Sequence, residues 1–165
     1  MRLMDAYDRV ASFGVMVEDK ARGRVASGPA GRPIALYWLG EHEIRKLVRG
    51  IELVARIFLA AGAREVYPRV DGFDAIRGET DLERFSRIRP AARDFLLTAF
   101  HPLGTCRMGP DPRSSVIDPS HQAHDVPGLY VVDGGAVPTS VAVNPQVTIM
   151  ALATRAAERI GRQLV

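Results

Sequence analysis

Few residues in this sequence have reactive chemistry to offer. His101 opens the run His101-Pro102-Leu103-Gly104-Thr105-Cys106-Arg107-Met108-Gly109, where an apolar segment passes into a Pro/Gly turn. An imidazole in such a place can act as a general base near neutral pH. A lone histidine is more often a structural residue satisfied by its neighbours. Asn144 stands before Pro145 and Gln146 at the head of a long amphipathic segment. That order suits a helix N-cap followed by proline at the first helical position. A helix N-terminus carries about half a positive charge and several unpaired N–H donors, so it can stabilise an anion or a developing negative charge. Many helices that begin Asn-Pro bind nothing.

The remaining candidates are weaker. His121 and His124 sit three apart in a polar loop, without the cysteine or third histidine of a zinc site. His42 falls in the first turn of an amphipathic helix and reads as surface. Cys106 is the single cysteine. It excludes an internal disulfide and any multi-cysteine metal site, and it reads as a small structural residue rather than a nucleophile. There is no G-x-G-x-x-G, no P-loop and no G-x-S-x-G elbow. One histidine, one asparagine and one helix terminus do not by themselves define a function.

These residues must be held by elements that the hydrophobic pattern outlines. Phe13–Glu18 and Gly23–Ser27 read as neighbouring strands across a charged turn, and Ile34–Leu39 as a third, which predicts a small antiparallel sheet. From Glu41 to Ala61, apolar residues recur at three- and four-residue spacing through Ile44, Leu47, Val48, Ile51, Val54, Ala55 and Phe58, which predicts a long helix ending at Gly62. Residues 63–70 read as extended and 71–90 as polar and irregular. Phe95–Phe100 reads as a strand leading to His101. Leu129–Asp133 reads as a buried strand whose end, at Gly134 and Gly135, meets something through its backbone. A last helix is expected from about Pro145 to Arg162.

Composition sets outer bounds. The chain has 165 residues, 47% hydrophobic and 25% charged, enough for one ordinary globular core but not for two full-sized domains. No run of apolar residues is long enough to cross a membrane as a helix. The first residues lack the apolar stretch of a secretory leader, so a cytoplasmic location is expected. The net charge is +3, nearly all of the positive charge is arginine, and acids are interleaved with it throughout. That is a solvated mixed-charge surface rather than a nucleic-acid footprint, and no nucleic-acid partner is expected.

Taken together, the C-terminal motifs resemble the signature of the glucose–methanol–choline (GMC) oxidoreductases. The matching parts are His101–Gly109, Gly128-Leu129-Tyr130-Val131-Val132-Asp133-Gly134, Pro138-Thr139-Ser140 and Asn144-Pro145-Gln146-Val147-Thr148-Ile149-Met150-Ala151-Leu152-Ala153, in that order. The likeness spans about residues 95–163. The earlier part is similar in layout to the family's substrate domain, leaning toward cholesterol-oxidase-like and long-chain-alcohol-oxidase-like members.

The resemblance implies FAD-dependent oxidation of an alcohol by proton abstraction and hydride transfer to flavin. It places His101 at the family's catalytic histidine and Asn144 at the second active-site position. It sets Asp133, Gly134, Asn144, Pro145 and Gln146 against FAD, with Gly134 allowing close backbone approach and Cys106 structural. The implied fold class is α+β. Residues 1–100 would form a substrate-domain-like portion, with an antiparallel sheet and a long packing helix. Residues 101–165 would contribute the final strand and helix of the FAD domain.

GMC enzymes also carry an N-terminal dinucleotide-binding unit with a glycine fingerprint, and this sequence has none. The expectation is therefore a C-terminal part with an incomplete FAD site, completed by a partner chain bearing the FAD-binding half. It would act on an alcohol, with the Tyr37-Trp38 strand lining an apolar pocket or forming core. The alternative is an inactive remnant serving at most as a binding or structural module.

Overall fold

The longest element forms where the apolar spacing predicts it. In a computed structural model, which describes residues 5–163, helix α1 runs Glu41–Ala60. It buries Leu47, Val48 and Ala55 on one face. Its first turn is closed by Glu43, whose carboxylate accepts from the backbone N–H groups of Lys20 and Gly40, each at 3.2 Å. The Lys20 N–H above all holds this carboxyl below the usual glutamate range. The chain leaves the helix through Gly62 at φ +93°, a left-handed conformation that glycine adopts without penalty.

The core built on α1 draws on residues the pattern left unassigned. Helix α2, Glu79–Ser86, lies within the stretch expected to be irregular. Its eight residues hold one buried apolar pair, Leu82 and Phe85, and a single i,i+3 pair is too short a pattern to register as periodicity. Asp81 accepts from the Arg77 N–H at 3.0 Å, just ahead of the helix start. Leu82 and Phe85 pack with Val48, Ala55, Val70 and Ile76, and Phe73 meets Phe85 edge to face at 5.1 Å between ring centres. Residues 63–70 are extended as expected only in outline: single bridges pair Val66 with Ile76 and Val70 with both Phe73 and Phe95.

The sheet is smaller than predicted and paired differently. Strand β1, Arg22–Ser27, lies antiparallel to β2, Pro33–Trp38, with Val25 opposite Ala35. Phe13–Glu18 is not a strand. Its alternating apolar residues are used against α1 instead: Phe13 meets Phe58 edge to face at 4.9 Å. Val15 sits where a side chain at Gly50 would be, its Cγ1 2.5 Å from that glycine's ideal Cβ position. Lys46 Nζ donates to the Glu18 carbonyl at 2.8 Å and secures the end of the segment.

Two further expected strands are absent. Of Phe95–Phe100 only Phe95 bridges, and Leu96 and Phe100 are exposed. Leu129–Asp133 makes one bridge, Gln122 to Tyr130, and Leu129 and Val132 are exposed. A strand needs a neighbour's ladder, and among the described residues these runs find almost none. Helix α3, Gln146–Gln163, is the last of the described elements and forms where a helix is expected, with Ala156 buried. Arg155 and Arg159 both donate to the Pro119 carbonyl, which ties α3 to the loop before it. The mixed α and antiparallel β content agrees with the expected class in outline.

Candidate functional site

The segment after His101 is held by a second segment thirty residues later in the chain. The N–H groups of Gly104, Cys106 and Met108 donate in turn to the carbonyls of Gly134, Gly135 and Ala136, at 3.4, 3.0 and 3.0 Å. Gly134–Ala136 is one tight helical turn. Asp133 caps it, its Oδ1 accepting from the Gly135 N–H at 2.7 Å. This is the N-cap chemistry expected of an aspartate before a turn. Gly104 lies at φ +75°, and its ideal Cβ position is 3.4 Å from the Val137 carbonyl. Backbone therefore packs on backbone where the sequence has its glycines.

Gly134 is the junction. Its ideal Cβ position lies 3.2 Å from the Pro102 carbonyl and from Leu103 Cδ2, and 3.3 Å from Ile149 Cδ1. Pro102 and Leu103 follow His101 directly, and Ile149 is in the first turn of α3, its N–H bonded to the Pro145 carbonyl at 2.8 Å. The tertiary structure thus brings the His101 segment and the start of α3 to one point. The space left by the missing side chain at Gly134 is occupied by protein.

The predicted site residues divide accordingly. His101, Asp133, Asn144 and Gln146 are exposed, Gly134 is half-buried and Pro145 is buried. Among the described residues no hydrogen bond joins the His101 and Asn144 side chains; what they share is the Gly134 junction. Beside it lies an uncovered apolar strip, Val143, Val147 and Met150, spaced along the entry to α3. Leu129 and Val132 are exposed too.

The two loop histidines act in structure. His124 Nε2 lies 2.9 Å from Ser115 Oγ and 3.2 Å from the Gly109 carbonyl, fastening the far end of the His101 run. His121 is fully buried at φ +74°. Its Nδ1 is 3.0 Å from the Val131 carbonyl, and the Val131 N–H returns a bond to the His121 carbonyl at 3.0 Å. His121 Nε2 is buried and has no hydrogen-bond partner among the described residues. Asp118 organises this turn. Burial raises its carboxyl, but bonds from Ser120 Oγ, the Ser120 N–H and the Gln122 N–H outweigh that and leave it below the usual aspartate range. Among the described residues no group of three or more His, Cys, Asp or Glu side chains is placed to hold a metal ion. Nor is any helix long and apolar enough to cross a membrane.

Comparison with known proteins gives these segments a context. The model of the GMC oxidoreductase C-terminal region matches residues 19–153. An uncharacterized GMC-type oxidoreductase of Mycobacterium tuberculosis is 33% identical over 165 residues, all of this chain and 26% of that protein. The alcohol dehydrogenase [acceptor] of Pseudomonas putida is 32% identical over 153 residues, 88% of this chain and 26% of that protein. A long-chain-alcohol oxidase of Arabidopsis thaliana is 32% identical over 174 aligned positions, 96% of this chain and 22% of that protein. The chain spans about a quarter of the length of the curated relatives it matches.

Proposed function

The chain belongs to the GMC oxidoreductase family, and from that membership we propose that it carries the residues that handle the alcohol in an FAD-dependent oxidation of a CH–OH group. The family is FAD-dependent, and bound FAD supplies the acceptor for the hydride that leaves the carbinol carbon. In this reading His101 takes the hydroxyl proton as general base. Asn144 hydrogen-bonds the substrate oxygen and orients the carbinol carbon. The observation that carries the proposal is the Gly134 junction, which fixes the segment beginning at His101 and the helix introduced by Asn144 to the same point.

Asp133, Gly134, Asn144, Pro145 and Gln146 are the residues that would hold the cofactor. The donor set fits one part of FAD. The exposed N-terminal end of α3 offers N–H groups and a positive dipole end, flanked by the exposed Asn144 and Gln146 side chains, and these suit the electron-rich edge of a flavin ring. Gly134 also sets the His101 segment against α3, because the vacancy of its missing side chain is taken by Pro102, Leu103 and Ile149. The remaining contacts to FAD come, in this reading, from the part of the family's length that lies outside this chain, in the form of a partner carrying the dinucleotide-binding portion. The relatives named as acting on alcohols support an alcohol as substrate.

The test is the visible absorption spectrum after desalting, with the chain prepared with FAD alone and co-expressed with a chain bearing the dinucleotide-binding portion. A flavin band retained only on co-expression is expected. In that complex His101→Ala should lower turnover by about 10²–10⁴-fold. A loss under tenfold removes His101 from the base role. A complex that forms yet retains no flavin favours the inactive remnant.

A further inference from the structure

We propose that the groove between α1 and the turn following α2 binds a small amphipathic carboxylate, at a place that shares no residue with the alcohol-handling site. The groove has a volume of about 220 Å³. Its apolar lining, Ile44, Val48 and Ile88, is buried or half-buried and makes a floor, and its basic lining, Arg45, Arg49 and Arg89, is exposed and makes a rim. The one carboxylate in the lining, Glu52, is already satisfied: it accepts from Arg49 at 2.8 Å and from Arg56 at 3.2 Å. Its side chain is 7% exposed and faces inward.

The rim therefore has unspent positive charge. Arg89 uses Nη1 on the carbonyls of Arg87 and Ile88, at 3.1 and 2.9 Å, and no carboxylate pairs with it among the described residues. Its Nε and Nη2 remain as donors in the planar fork that matches a carboxylate. Arg45 is paired only with Glu41, in a contact exposed on both sides, and such a pair is held weakly enough to exchange.

A cationic rim over an apolar floor selects for both halves of a ligand at once. A neutral alcohol gains only the floor, and a bare small anion gains only the rim. The volume is below that of sites for drug-sized molecules, roughly 300–1,000 Å³, which points to a medium-chain acid such as octanoate.

The experiment is a titration of the ¹⁵N-labelled chain with sodium octanoate below its micellar concentration, read by amide chemical shifts. Saturable shifts are expected along α1 from Ile44 to Glu52 and at Ser86, Ile88 and Arg89. Octanol and acetate should each bind at least tenfold more weakly. Arg89→Gln should weaken octanoate about tenfold while leaving the rest of the spectrum in place, and Arg45→Gln serves as the second variant, on the other wall. Shifts elsewhere or none overturn the proposal. So do equal binding of octanol (a greasy surface only), equal binding of acetate (loose cations only), or octanoate affinity unmoved by both substitutions.

Discussion

Phe85→Ala is the most informative single perturbation of the fold. Phe85 is fully buried on α2 and meets the Phe73 ring edge to face at 5.1 Å. Truncating a buried phenylalanine to alanine costs about 3–5 kcal/mol, of which the ring pair accounts for roughly 0.5–1.5. A domain's whole stability is about 5–15 kcal/mol. Helix α2 has eight residues and is too short to persist without its packing. Removing one of its two anchors should therefore release α2 and the bridged stretch around Val66, Val70 and Ile76. Every member of this core lies between Val48 and Phe95. Ile117, His121, Ala136, Val137 and Ala156 are buried separately from it. Urea denaturation should show the loss in stability. Hydrogen exchange should show protection falling from residue 41 to residue 95, while the amides of Cys106, Met108 and Val131 keep theirs. A cost under about 1 kcal/mol, or protection lost evenly along the chain, would refute the reasoning; Phe85→Leu, which keeps most of the apolar volume, should cost under about 1.5 kcal/mol.

Three other outcomes are expected. The Glu52 carboxyl is held below the usual range, chiefly by the Arg49 guanidinium and further by Arg56 against opposing burial. Its folded value is thus depressed, so its contribution is present above the unfolded value and is lost as pH falls through the folded one. The destabilisation caused by Glu52→Gln should shrink as denaturation is repeated from pH 6 to about pH 3, and a pH-independent difference would count against it. Tyr37 is held protonated above the ordinary tyrosine range, first by partial desolvation of its hydroxyl and then by its 2.7 Å bond to Asp19. Ultraviolet titration should show two tyrosines ionising late, Tyr37 and Tyr67, whose hydroxyl donates to Glu65, and Asp19→Asn should bring only Tyr37 back toward the rest; four indistinguishable tyrosines would contradict this. Gly134→Val places methyl groups against the Pro102 carbonyl, Leu103 and Ile149, and should cost about 1–3 kcal/mol with amide shifts at Leu103 and Ile149. An unchanged melting temperature would mean the junction is loose.

How much was legible beforehand differs by element. Helix α1 was, because twenty residues repeat one apolar stripe and end at a glycine. Helix α3 was, because Asn-Pro-Gln marks its start. Helix α2 was not, since one buried pair makes no period. Phe13–Glu18 misled because the same alternation serves a strand in a sheet and an extended chain lying on a helix. Of the site, residue types and order were visible at His101, Asp133, Gly134 and Asn144. The roles of His121 and His124 were not, because their partners, Val131, Ser115 and Gly109, are chosen by tertiary contact.

Local order and residue type alone therefore determined the two long helices, the glycine-lined turns and the motif order that marks the GMC oxidoreductase family. These depend on backbone preference and on spacing within a few residues, which a sequence records directly. The partner of each segment was decided only in three dimensions. Phe13 went to Phe58 rather than to a strand, β1 paired with β2, and Gly134 took both Leu103 and Ile149 as neighbours. Such choices depend on which distant surfaces fit when all are buried together, and close packing penalises every misfit by an amount no local pattern encodes.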